Sequence, residues 1–485
     1  MTGSTPANPT DPPAHRGAPG GWGELLGPRY LSTALVLAGG VALYAINVYL
    51  TAAIMPTAIL EIGGAPYYAW VMTVFLTASI VASMLVNRAL GRWGAATAYT
   101  VGFLVFALGA LGAAVSPSML PLLLARAVQG LGGGLLAGLG FAVIRSALPK
   151  RLWTRATGLV SAMWGVGNLV GPALGGVFAQ LGAWRGSFVL LAVLALILAV
   201  LTRRALSGAA PENSEHVAIP YLALVLLTAA AGAFSLASVL PRGPAMLAGV
   251  LAGIGLILLF LLVDRRSTAS VLPRITYERG NALKWVYLAL AALSAGAMTE
   301  AFVPLFGQEL GGLEPVWAGF LGAAISIGWT SAQLFSVNVE GSRGRRRLMV
   351  LGPALLSAGL FAYALLQADN AGGFLIAGWV LALVAAGAGI GLAFPHLSVA
   401  AMNATEDPVE GRKAAAGVST IQLIANAVAS SLVGILVNLG GPEVLGSARL
   451  MIGGITLVAL LGLLSAARAA RLADRLDAAS DGTGG

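Results

Sequence analysis

The chain has 485 residues, of which 58% are hydrophobic and 10% charged, and it contains no cysteine. The charged share falls far below the roughly 25% of ordinary soluble domains, and the missing thiols exclude disulfides and thiolate metal sites. A net charge of +9 in a soluble protein would point to nucleic acid; here the basic residues sit in short loops between apolar stretches, where they face anionic lipid headgroups, so no nucleic-acid partner is expected.

Residues 1–29, rich in Pro, Gly and Thr, read as a disordered tail. Fourteen apolar spans follow, each of about 18–25 residues or slightly more, the length a helix needs to cross the hydrocarbon core. They are predicted near 31–56, 68–90, 95–115, 120–145, 154–179, 185–202, 218–238, 244–264, 281–307, 315–338, 347–367, 373–402, 415–439 and 447–470. Strands of a membrane barrel would be about ten residues long with alternating polarity, which this pattern excludes. The fold class is therefore all-α integral membrane.

The loops alternate in charge. Arg88/Arg92, Arg145–Arg155, Arg203/Arg204, Arg265–Arg279, Arg343–Arg347, Arg412/Lys413 and Arg468–Arg475 mark every second connection. The intervening ones carry Glu61, Glu309, Glu314, Asp369 and Glu443, with Arg185, Arg242 and Arg449 as basic exceptions. The positive-inside rule then sets both termini in the cytoplasm of a multi-pass protein of the cell membrane. Abundant Ala and Gly, with Arg far exceeding Lys, point to a GC-rich bacterial genome.

The spacing divides the spans into six, two and six: a bundle over 30–204, a linker over 205–280 that holds two extra spans, a second bundle over 281–470, and a tail over 471–485. Val81–Gly94 and Ser331–Gly344 end spans 2 and 10 alike, with a Val-Asn pair followed by Arg near Gly. Weak internal repeats of this kind accompany a pseudo-symmetry axis with a substrate site between the halves.

Two motifs stand out. Span 4 reads RAVQGLGGG from Arg126 to Gly134. A guanidinium costs at least about 2.5–3.5 kcal/mol at the centre of a membrane helix, so Arg126 either faces a cavity with Gln129 one turn away, or snorkels from a helix end. Span 5 reads GVGNLVGPALGG from Gly165 to Gly176. Gly167, Gly171 and Gly175 make a flat stripe for close helix packing, Pro172 bends the helix, and Gly176 follows.

With Arg-x-x-Gln-Gly on span 4 and Gly-x-x-x-Gly-Pro-x-x-Gly-Gly on span 5, the chain resembles the major facilitator superfamily over about residues 30–470. The second pattern is similar to the motif of its antiporter branches, and the six-two-six plan resembles the 14-helix drug:proton antiporters. Trp184-Arg185 and Leu272-Pro273 fit that group too. The resemblance implies two six-helix bundles plus two inserted helices, a central cavity, and proton-coupled export of a hydrophobic or amphiphilic small molecule. An uptake permease or facilitator is the alternative within transport; a membrane enzyme or lipid-interacting protein is the alternative outside it. Against an enzyme, no span carries a metal-ligand cluster, a nucleophile–base pair or a phosphate loop, and the three histidines are scattered. Substrate, protons and membrane lipids are the expected partners, with no cofactor or metal and a monomeric chain.

Two departures from the family pattern matter. The turn after span 2 holds Gly91, Arg92 and Gly94, with Gly91 at the family's Asp position, so the charge lock made there is expected to be weak or rebuilt. The group also commonly places an Asp in span 1, nine residues before a Pro; counting back from Pro56 gives Asn47, which cannot carry a proton.

The proton-coupling candidates are then Glu300 on span 9 and His396 on span 12. A carboxylate in apolar surroundings prefers its neutral form, the property a proton carrier needs, and Pro304 one turn on can open the backbone toward a cavity. Glu300 could equally be a protonated packing group, and His396 a helix-packing one. Tyr44, Asn47, Arg126, Gln129, Trp164, Gln422 and Asn426 are the candidate cavity residues, with interhelical hydrogen bonding as the other reading of Gln422 and Asn426.

Overall fold

The computed structural model describes residues 21–206, 221–267, 270–278, 280–336, 339, 341–405 and 408–482. Every regular element among them is helical. In chain order the long helices are α1 (Leu31–Ile62), α2 (Tyr68–Met84), α3 (Val86–Ala114), α4 (Met119–Ala142), α5 (Trp153–Gln180), α6 (Trp184–Ala205), α7 (Tyr221–Val239) and α8 (Pro244–Arg266). Next comes α9, broken into Leu283–Ala297, a 3-10 turn Met298–Ala301 and Val303–Glu309. The last five are α10 (Pro315–Ser336), α11 (Ser342–Leu365), α12 (Gly373–Met402), α13 (Pro408–Gly440) and α14 (Val444–Gly482). Among the described residues, thirteen helices are long and apolar enough to cross a membrane, and α10, with 22 residues, fills the remaining place in the series.

Several helices outrun their apolar stretch. α1 continues past Pro56 to Ile62, and α14 runs to Gly482 through residues read as a tail. Ala, Leu and Arg make up 7 of the 12 residues of that extension, and all three favour helix whether or not lipid surrounds them. Of the N-terminal tail, residues 1–20 lie outside the described residues, while Trp22–Leu25 makes one helical turn. Its Glu24 accepts from Arg151 Nη2 at 2.6 Å, and this neighbour holds the Glu24 carboxyl below its usual range. The Val337-Asn338 pair of the repeat, and residues 207–220 of the linker, are also outside the described set.

The pairings repeat. In the first six helices α1 packs on α5 and α6, α4 on α2 and α3, and α3 on α6. In the last six α9 packs on α13 and α14, α12 on α10 and α11, and α11 on α14. The second set is the first displaced by eight helices, as a pseudo-symmetric pair of bundles requires. Glycines permit these contacts. A Cβ at Gly132 would lie 2.7 Å from Gly102 O of α3, and one at Gly389 would lie 2.5 Å from Leu356 N of α11.

The bundles meet through α5–α10 and α2–α13. The inserted pair α7–α8 packs on itself, with α7 also touching α13 and α2. Call the ends where the Arg-rich loops lie the basic face, and the other ends the opposite face. At the opposite face Arg185 pairs with Glu61 and donates to Ser116 O at 3.1 Å, while Trp184 Nε1 donates to Glu61 Oε2 at 2.7 Å. Arg242 donates to Asn438 O at 2.9 Å, and Arg449 to Gln367 O at 2.8 Å. The three basic exceptions to the alternation are thus each engaged locally. On the basic face, buried Asp264 accepts from Val271 N, Leu272 N and Tyr277 OH at 2.6, 3.1 and 2.9 Å, which fixes the α8–α9 loop.

Candidate functional site

Glu300 lies in the 3-10 turn that breaks α9, and Pro304 opens the helical segment that follows. Proline suits that position because a helix start leaves its N–H groups unbonded in any case. The break turns Glu300, 8% exposed, toward the seam between the bundles. Ser326 of α10 donates to its Oε2 at 2.9 Å, and the Tyr49 hydroxyl of α1 lies 3.4 Å from Ser326 Oγ. A chain of oxygen atoms therefore joins an acidic group of the second bundle to a residue of the first. Beside it is a small cavity bounded by Tyr49, Met72 and Pro172 from one bundle and Glu300, Pro304 and Gly319 from the other. Nearby, Tyr68 OH donates to Ala301 O at 3.1 Å, a second bond across the seam.

The second cluster is centred on Arg126, which is fully buried. Its Nη1 donates to Asn47 Oδ1 at 2.9 Å and to Gln129 Oε1 at 2.5 Å, and its Nε donates to Val71 O at 3.3 Å. The guanidinium carbon stands 4.3 Å from the centroid of the Phe75 ring. Arg126 therefore does not snorkel. A buried cation without an opposite charge is penalised by several kcal/mol, and neutral acceptors with an aromatic face offset only part of that. Phe75 continues to Tyr44 at 5.4 Å between centroids, and Tyr44 to Trp164 at 5.6 Å. Tyr44 is buried, while Trp164 is 39% exposed.

The glycine motif of α5 serves both contacts. Cβ atoms at Gly171 and Gly175 would lie 2.7 Å from Tyr49 Cβ and from Leu50 O, and Gly167 faces Ala45 and Ile46, so this stripe seats α1. The other face of α5 meets α10: Pro172 O is 3.0 Å from a Cβ built at Gly319, and a Cβ at Gly176 would lie 2.6 Å from Val316 Cα. Gln180 Nε2 donates to Glu314 Oε2 at 3.1 Å on the same line. One helix turn of α5 thereby sets the separation of Tyr49 from Ser326.

The remaining candidates stand apart. His396 is buried, with Nε2 3.1 Å from Ser336 O, a link between α12 and α10. Gln422 and Asn426 are half-buried on α13. Gly91 and Arg92 are exposed, and Gly94 (φ 72°) turns the chain from the end of the α2 region into the body of α3. Sequence reasoning passed over Tyr49, Ser326 and a hydroxyl group on the α2–α13 seam. There Thr73 Oγ1 donates to Ser430 Oγ at 3.0 Å, with Ser431 at 3.3 Å from the same Thr73 oxygen. Single hydroxyl residues are common in apolar spans, and only their convergence across the seam distinguishes these.

A family model described as Major Facilitator Superfamily matches residues 37–434. A protein of Mycobacterium tuberculosis named a probable multidrug-efflux transporter is 44% identical over 94% of this chain and 98% of its own length. The multidrug efflux pump SdrM of Staphylococcus aureus is 23% identical over 62% of this chain and 68% of its own length. Among solved structures, a bacterial homologue of the human lysosomal transporter Spinster, inward-facing, superposes with TM-score 0.65 at 13% identity, covering 92% of this chain and 98% of that one. The D-xylose–proton symporter superposes with TM-score 0.63 at 14% identity, over 90% and 96%. At such identities the structural likeness is one of fold. The bundle pairing, the α4 and α5 motifs and the family match agree, and the chain belongs to the Major Facilitator Superfamily.

Proposed function

We propose that this chain exports a hydrophobic or amphiphilic small molecule in exchange for protons, by rocking one bundle against the other around the central seam. The observation that carries the reading is the position of Glu300: a buried carboxyl beside a cavity bounded by both bundles, linked through Ser326 to Tyr49 of the opposite one. A titrating group there changes its hydrogen bonding at the surface that must part and re-form during transport. The name of the mycobacterial relative, a probable multidrug-efflux transporter, supports the export direction and a drug-like substrate. The basic face is then cytoplasmic, both termini with it, in the plasma membrane of a bacterium, and the chain works as a monomer.

Sealed vesicles with an imposed pH gradient test this. Wild type should concentrate substrate against its gradient. Glu300→Gln should still exchange substrate across the membrane, fail to concentrate it, and lose most of its pH dependence across about pH 5.5–8. Uphill, pH-dependent transport by Glu300→Gln would make Glu300 structural and direct attention to His396. A second reading, facilitation or uptake without protons, is favoured by Asn47 standing where related antiporters carry an acid. It predicts that wild type itself cannot concentrate substrate when the pH gradient is imposed.

A further inference from the structure

The geometry points to an organic-anion subsite at Arg126: the carboxylate, or an equivalent acidic group, of an aromatic substrate binds this guanidinium while its apolar body lies along Tyr44 and Trp164. This deepens the transport reading and rests on it for the identity of the ligand as cargo.

Three observations carry it. Both amides of the cluster turn their oxygens to the guanidinium, Asn47 Oδ1 at 2.9 Å and Gln129 Oε1 at 2.5 Å. That orientation leaves Asn47 Nδ2, Gln129 Nε2 and Arg126 Nη2 buried and without partners. All three are donors, so what the cluster lacks is an acceptor. Second, among the described residues no carboxylate pairs with Arg126; the ion pairs are Arg151–Glu24 and Arg185–Glu61, both elsewhere. A buried guanidinium with one nitrogen and two neighbouring amide donors unpartnered favours an anion over a neutral or cationic ligand. Third, the rings of Phe75, Tyr44 and Trp164 run in file from under the guanidinium to a side chain that is 39% exposed. A flat apolar body can follow that file with its acidic end toward the charge. Asn47 brings no carboxylate of its own, whereas an acid at this position would give the guanidinium the acceptor the cluster lacks.

The test uses the purified full-length protein in detergent and two probes of one shape, 1-naphthaleneacetate and its neutral amide, 1-naphthaleneacetamide, with binding measured by calorimetry. Wild type should bind the acid about tenfold or more tightly than the amide, the difference a charge-assisted pair supplies. Asn47→Asp sets a carboxylate beside Arg126 Nη1; it should weaken the acid by about tenfold and leave the amide within about threefold. Retained amide binding also shows that the variant is folded. Trp164→Ala should weaken both probes together. Equal affinities in wild type, binding of neither probe up to its solubility limit, or an Asn47→Asp variant that keeps the preference would overturn the subsite. Because these measurements need neither membrane nor gradient, a protein that prefers the acid yet does not transport keeps the subsite and loses the export reading. Concentrative export of a cationic dye without any acid preference does the reverse.

Discussion

Gly171 touches Tyr49 Cβ from behind while Tyr49 reaches toward Ser326 and Glu300 in front, so the glycine stripe acts on the candidate site through a single side chain. Any Cβ at Gly171 must move Tyr49 or the α1 backbone, a strain of about 1–3 kcal/mol or more for a side chain as large as leucine. We expect Gly171→Leu to reach the membrane in normal amounts and to lose transport, whereas Gly165→Leu, whose Cβ meets nothing within 4 Å, should transport like wild type. Membrane abundance and vesicle uptake of the two variants decide it, and normal uptake by Gly171→Leu would detach the stripe from the site. The motif itself was readable from the sequence, as were Arg126, Gln129 and Glu300, because charge and amide groups are costly in lipid and so conspicuous; Asn47 was found only through the family's spacing from Pro56. What they touch was not readable. A three-residue spacing puts Gln129 near Arg126 on a helix, but nothing local brings Asn47, 79 residues away in sequence, to the same guanidinium.

At the scale of elements, hydropathy locates the helices and mistakes their ends, since it reports lipid contact while the helix ends where capping and packing end it. The break in α9 has the same origin: Pro304 is visible, but the partners of the 3-10 turn before it are not, Ser326 of α10 for Glu300 and, across the seam, Tyr68 of α2 for Ala301. The inserted pair belongs with the second bundle. Asn438 of α13 donates to Ser238 O and Leu240 O at 2.9 and 3.0 Å, and Ser235 bonds Ser431 at 2.9 Å. On the first-bundle side, Trp70 Nε1 bridges α2 to α7 near the opposite face, at 2.5 Å from Ser235 O and 3.1 Å from Ser238 Oγ, while Arg88 Nη1 donates to Tyr221 OH at 2.6 Å near the basic face. Parting the bundles at the opposite face must break this indole contact, while the α7–α13 bonds can persist. Trp70→Phe should therefore favour the arrangement open at that face by about 1 kcal/mol, some fivefold in population. The chain has no cysteine, so a single Ala52→Cys on the cavity wall reports directly. An impermeant maleimide added from the opposite face should label it several-fold faster in the Trp70→Phe background. An unchanged rate would mean that the indole bond does not resist opening.

For the whole molecule, two independent regularities describe one architecture: the alternation of basic loops and the displacement of the pairing pattern by eight helices. Eight is even, so corresponding helices of the two bundles run in the same sense across the membrane, and their loops fall on matching faces. An odd insertion would have inverted one bundle and destroyed the alternation, which explains why the inserted element is a helical hairpin. The three basic exceptions do not weaken the signal: Arg185 is offset by Glu61, and Arg242 and Arg449 are bonded to carbonyls at the ends of neighbouring elements. The arginines of the other face govern insertion, since the positive-inside bias counts residues in short loops near the helix ends. Reporter fusions after Arg92, Arg204 and Arg347 should accordingly be cytoplasmic, and fusions near Pro117 and Asp369 external. Pro117 lies in the α3–α4 turn and Asp369 in the α11–α12 turn, one in each bundle, so the pair tests both sides of the hairpin. An external Pro117 with a cytoplasmic Asp369 would mean that an odd number of the helices α4–α11, for instance one member of the α7–α8 pair, does not span the membrane. Reversal at both sites would turn the entire protein over and place the basic face outside.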